Sequence, residues 1–84
     1  MNKKDIEVIV LNIIQDKIDE NRYIAHDAIL ADEGIDSLKI IEIVVKIEEI
    51  FNFEFEDEKL SYETLRTIGS IAEYVYQRTS GEDQ

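Results

Sequence analysis

The chain has 84 residues, enough for one small domain with a modest core. Its 20 acidic and 9 basic side chains give a formal charge of -11, which argues against nucleic-acid backbones and anionic membranes as partners and favours basic protein surfaces reached by electrostatic steering. A hydrophobic content of 44% separates it from acidic disordered chains, and the absence of cysteine excludes a disulfide frame, a thiolate metal site and any reactive thiol not brought by a cofactor.

The N-terminus runs directly into the polar Asn2-Lys3-Lys4-Asp5, and no apolar run approaches a membrane span, so a cytoplasmic setting is expected. A first helix is expected from about Lys4 to Asp19. Ile6, Ile9, Val10, Ile13, Ile14 and Ile18 recur there at helical spacing, and the 3.6-residue period outweighs the strand preference of isoleucine and valine. From Asp19 to Asp36 the period fades, which reads as a long loop anchored by Ile24, Ile29 and Leu30. His26, the single histidine, has no ligand pattern around it and reads as a surface loop residue. The acid-rich loops do not fit a calcium site: with Gly34 at the glycine position of an EF-hand loop, Ile29 and Ala31 would occupy positions that need oxygen ligands.

The stretch from Asp32 to Phe51, DEGIDSLKIIEIVVKIEEIF, carries the sharpest signals. Gly34 supplies a turn, and Asp36 is placed to cap a helix beginning at Ser37. Ser37 then lies in a first helical turn, its hydroxyl towards solvent beside free N–H groups and the positive end of the helix dipole, an environment that favours an attached anion. On a helical wheel Ile40, Ile43, Val44, Ile47, Ile50 and Phe51 form a core-facing arc. Leu38, Ile41 and Val45 fall on a second strip, with Glu42 and Glu49 along one side and Glu48 along the other. That strip is either a widening of the buried face or a docking surface with an apolar centre and an acidic rim.

Asn52 to Asp57 breaks the helix and reads as an extended connection with Phe55 turned inwards. Glu58 to Leu65 is compatible with one short helix or two turns. Thr67 is placed to cap a last helix through about Arg78, with Ile68, Ile71, Ala72 and Val75 buried and Tyr74 at the edge of the stripe. Residues 1–79 read as one domain and residues 80–84 as a frayed tail.

The Asp36-Ser37-Leu38 motif, preceded by Gly34 and opening a helix that carries Glu42, Glu48 and Glu49, resembles the motif of acyl and peptidyl carrier proteins. The resemblance extends from Lys4 to Arg78. It implies an all-α bundle of acyl-carrier type, three main helices plus one short helix, with 4′-phosphopantetheine attached to Ser37 from coenzyme A by a phosphopantetheinyl transferase. The arm's thiol would hold an acyl or aminoacyl thioester. Asp36 and Lys39 would flank the attachment point, with Lys39 able to pair with the phosphate. Leu38, Ile41, Glu42, Val45, Glu48 and Glu49 match the surface that partner enzymes engage: an adenylating or acyl-loading enzyme and downstream synthases or transferases. Val44, Ile47, Phe55, Leu65, Ile68 and Ile71 match interior positions that shelter an acyl chain in some carriers, or they simply fill the core. A monomer is expected, with no catalytic residue and no metal, because Ser37 has neither a nearby base nor a nucleophile elbow.

Two departures bear on pathway. Fatty-acid carriers usually place an acid after Ser-Leu, where this chain has Lys39, a residue common in carriers of nonribosomal peptide and related assembly lines. The segment from Asp57 to Ile68 is longer than a fatty-acid carrier leads one to expect, and its Tyr62–Ile68 portion, YETLRTI, resembles the peptidyl type. The expectation is a free-standing carrier in a nonribosomal peptide, polyketide or siderophore type of pathway, with a housekeeping fatty-acid carrier as the alternative. An acidic helical adaptor that is never modified is the alternative of another class.

Overall fold

A computed structural model describes residues 1–79, so the expected tail at 80–84 lies outside the described residues. Three helices carry the fold: α1 (Lys3–Ile18), α2 (Ser37–Phe51) and α3 (Ile68–Thr79). Short 3-10 turns at Leu30–Glu33 and Asp57–Lys59 complete it, and no strand occurs among the described residues.

Helix α1 starts where Asn2 caps it, the Asn2 side chain accepting from the Asp5 amide at 2.8 Å, and ends at Asp19 in the left-handed region. Its buried residues, Ile6, Val10, Ile13 and Ile14, come from the expected stripe, while Ile9 and Ile18 are only partly covered. This helix packs against both α2 and α3, and the core forms around it. From α2 come Ile43, Val44 and Ile47, and from α3 Ile68, Ile71, Ala72, Tyr74 and Val75.

The expected core arc of α2 is too wide. Ile50 is about half exposed, and Ile40 and Phe51 are only partly buried, because α1 covers a narrower sector than the apolar residues span. Tyr74, placed at the edge of its stripe by periodicity, is buried at 5% exposure. Its ring packs against Phe55 (5.0 Å between centroids) and Phe53 (6.1 Å), and its hydroxyl accepts from the Glu56 amide at 3.1 Å. Arg78 donates to the same hydroxyl and to the Glu54 carbonyl, both at 3.0 Å. Phe55 is turned inwards as expected, and Asn52–Glu56 is stitched to α3 by this aromatic cluster.

The long loop is less irregular than the fading period suggests. Ile24 and Leu30 are buried, Ile29 is half-buried, and Ile35, not counted among the anchors, is buried as well. Arg22 ties the loop together, donating to the carboxylates of Glu20 and Glu33 and to the Glu33 carbonyl, each at 2.7 Å. Those two carboxylates hold the guanidinium pKa above its usual value. Two backbone bonds then fasten the loop to the distal part of the chain. The Leu30 amide donates to the Arg66 carbonyl (2.9 Å), and the Gly69 amide donates to the His26 carbonyl (2.8 Å). A Cβ on Gly69 would lie 3.2 Å from that carbonyl oxygen, so the close approach suits a glycine.

Between Glu58 and Leu65 the chain forms turns after the 3-10 segment, not a short α-helix, so the fourth element of the bundle is reduced to 3-10 turns. Helix α3 begins at the expected place. The Thr67 hydroxyl accepts from the Ser70 amide (2.9 Å) while Ser70 Oγ accepts from the Thr67 amide (3.0 Å), a reciprocal cap.

Candidate functional site

The turn at the front of α2 is built by a sequence of local constraints. The 3-10 turn closes at Gly34, whose φ of 86° lies in the left-handed region that a side chain disfavours. Ile35 then turns into the core, and its amide donates to the Leu30 carbonyl at 3.2 Å. Asp36, extended at φ -83°, caps α2 with its carboxylate, which accepts from the Lys39 amide at 2.9 Å, while its carbonyl accepts from the Ile40 amide. Ser37 is therefore the first helical residue, and it is exposed. The cap takes the Lys39 amide, so those of Ser37 and Leu38 have no partner within the described residues. A hydroxyl between a buried anchor on one side and two free amides on the other is accessible, fixed in position and electrostatically suited to a bound phosphate.

Beyond Ser37 the strip expected from the wheel is on the surface. Leu38 is 66% exposed, Ile41 59% and Val45 47%, while neighbouring Val44 is 7% exposed. The strip is therefore no widening of the core. Glu42 and Glu49 are exposed beside it, Glu49 within 3.9 Å of Lys46. Glu48 differs from them: one of its carboxylate oxygens accepts from the Phe55 amide at 2.8 Å, holding the connection after α2 against the helix. Lys39 is half-buried on α2, and no carboxylate among the described residues pairs with it.

A cleft of about 290 Å³ opens beside Ser37, lined on one side by Ile35, Ser37 and Ile40 and on the other by Leu60, Tyr62 and Arg66. Sequence reasoning did not bring these last three residues to the site. Their segment was distinctive as a motif, but it has no periodicity that would orient it, and its position depends on the Leu30–Arg66 backbone bond. No cluster of three or more histidine, aspartate or glutamate side chains able to hold a metal occurs among the described residues.

A family model described as the phosphopantetheine attachment site matches residues 9–75, a range that contains this turn, the exposed strip and the cleft. The chain belongs to this family of carrier proteins. It is 32% identical over 72 residues to the acyl carrier protein of Wolinella succinogenes, covering 86% of each chain. To the acyl carrier protein of Bdellovibrio bacteriovorus it is 36% identical over 75 residues, covering 89% of this chain and 87% of the relative. The acyl carrier protein of Clostridium perfringens is 33% identical over 69 residues, 80% of this chain and 88% of the relative. No solved structure gives a significant match. As a member of the carrier family the chain is a non-catalytic domain on which other enzymes act.

Proposed function

We propose that Ser37 is the residue that receives 4′-phosphopantetheine and that the chain delivers thioester-linked acyl or aminoacyl groups between enzymes. The observation that carries this reading is the exposed Ser37 at the first position of α2, inside the matched attachment-site region, with the Ser37 and Leu38 amides unpartnered. When attached, the arm supplies the thiol on which cargo is held. The residues of this chain do the rest: Gly34 and Asp36 set the serine at the helix start, and buried Ile35 fixes it relative to the core.

Leu38, Ile41 and Val45, flanked by Glu42, Glu48 and Glu49, form the surface proposed to receive a phosphopantetheinyl transferase and then the loading and downstream enzymes. An apolar centre excludes water, while the acids steer a basic partner and set its register. A monomer working in the cytoplasm fits this role.

On pathway, we favour a carrier of the nonribosomal peptide, polyketide or siderophore type. Lys39 after Ser37-Leu38 and the extended turn region from Asp57 to Ile68 support it. A housekeeping fatty-acid role is favoured by a different observation, the name acyl carrier protein borne by the three relatives above. Incubation with coenzyme A, magnesium and a broad-specificity transferase tests the attachment: the protein gains the mass of one arm, and Ser37→Ala gains none. A wild type left unmodified by several transferases would point back to the unmodified adaptor. Loading the arm-bearing protein with adenylating enzymes and amino or aryl acids, in parallel with a malonyl transferase and malonyl-coenzyme A, separates the two pathways.

A further inference from the structure

We propose that Arg66, steadied by Tyr62, binds the phosphodiester that joins the arm to Ser37 and so holds the root of the arm against the cleft. The proposal rests on attachment at Ser37. Arg66 and Ser37 line the same cleft although 29 positions separate them in the chain (66 - 37 = 29). Their relative position is set by backbone. The Arg66 carbonyl accepts from the Leu30 amide at 2.9 Å, and the Leu30 carbonyl accepts from the Ile35 amide at 3.2 Å, two residues before Ser37. Two hydrogen bonds thus connect the arginine to the attachment turn without passing through a flexible side chain.

The charge of Arg66 is uncommitted. In a chain of formal charge -11 its guanidinium has no carboxylate partner among the described residues, whereas Arg22 is held by two and Lys3 and Lys46 by one each. Its close contact is the exposed ring of Tyr62, 5.8 Å from centroid to guanidinium carbon, an attraction to the ring face that uses none of its N–H donors. A guanidinium edge meets two phosphate oxygens at once, a fit that the single ammonium of Lys39 does not offer. Lys39, the other cation near Ser37, does not line the cleft. The phosphodiester is the anion that Arg66 meets whatever the cargo, because it sits on the Ser37 oxygen itself, whereas the thiol end lies a full arm's length away.

Phosphorus NMR of the arm-bearing full chain reads this contact directly. The wild-type resonance is expected to differ between the folded protein and the same protein in urea. Arg66→Gln removes more than half of that difference, Arg66→Lys keeps an intermediate part, and Lys39→Gln leaves most of it. Among the described residues the Arg66 side chain has no hydrogen bond and no ion pair, so circular dichroism of Arg66→Gln should match wild type, and Arg66→Lys covers the case where it does not. A wild-type resonance equal in the folded and unfolded states, or one that responds to Lys39→Gln and not to Arg66→Gln, overturns the proposal. So does an Arg66→Gln that only slows loading by the transferase while its resonance stays at the wild-type position, since the arginine would then contact the enzyme. Mass spectrometry separates the two levels: a protein that takes no arm overturns attachment at Ser37 itself, whereas a fully loaded protein with an unresponsive resonance overturns only the role of Arg66.

Discussion

Gly34 and Asp36 together decide where Ser37 sits, by different physics. Gly34 is the one glycine with positive φ among the described residues, and nothing lies within 4 Å of where its Cβ would be, so a substitution there meets backbone strain and no clash. Gly34→Ala should lower stability by about 1–2 kcal/mol. Gly34→Asn should cost less, because asparagine visits the left-handed region more readily. Urea unfolding of the pair checks both, and equal losses would mean that side-chain crowding, not backbone angle, governs the turn. Asp36→Ala removes the acceptor of the Lys39 amide and should cost about 1 kcal/mol, the usual value of such a cap. Because the cap also fixes the serine, loading by a transferase should slow as well.

Helix α2 has two apolar faces with separate destinations, and adjacent valines report on each. Val44 is buried at 7% exposure, so Val44→Asp places an unpaired carboxylate in the core and should cost several kcal/mol, about the whole stability of a domain this size. Val45, at 47% exposure, should accept aspartate with helical content and melting nearly unchanged, yet bind partner enzymes more weakly, because the new charge must be desolvated in the centre of the contact. Circular dichroism and a binding titration with a transferase separate the two effects. Equal destabilisation by both substitutions would put the strip in the core. The connection after α2 is held from two sides, by Glu48 on the Phe55 amide and by Tyr74 on the Glu56 amide. Tyr74→Phe removes the acceptor of both the Glu56 amide and Arg78 and should cost about 1–3 kcal/mol, and measured melting curves would show it as a shift without loss of cooperativity.

Across the whole molecule, charge opposes folding. Ion pairs engage Glu20, Glu33, Glu49 and Glu73 among the described residues, leaving most of the carboxylates solvated and mutually repelling. Exposed pairs of this kind contribute little, so they do not offset a formal charge of -11. Raising ionic strength or adding magnesium should therefore raise the melting temperature, by about 5 °C if the relief amounts to about 1 kcal/mol. A melting temperature that does not move between low and high salt would show that the acids are compensated locally. If the strip beside Ser37 is the docking surface proposed above, the charge that weakens the fold is the charge that would steer basic partners to it, so stability and recognition would pull on it in opposite directions.

Local signals decided the features that depend on near neighbours in the chain. The three helices, the Asp36 cap, the Gly34 turn and the Thr67 cap follow from period, capping chemistry and backbone angles, each written within a few residues, whereas period set Leu38, Ile41 and Val45 on a strip of their own and left open whether it was buried. Tertiary structure decided what rests on meetings between distant residues. How much of the α2 arc is covered depends on the sector that α1 reaches, which leaves Ile50 exposed, and the burial of Tyr74 depends on Phe53 and Phe55 folding back over α3. The Leu30–Arg66 bond sets the long loop against the turns before α3 and brings Arg66 and Tyr62 to the cleft beside Ser37. No periodicity carries that pairing, because it joins two irregular segments, separated in the chain by α2, whose backbone groups meet only where the three helices pack together.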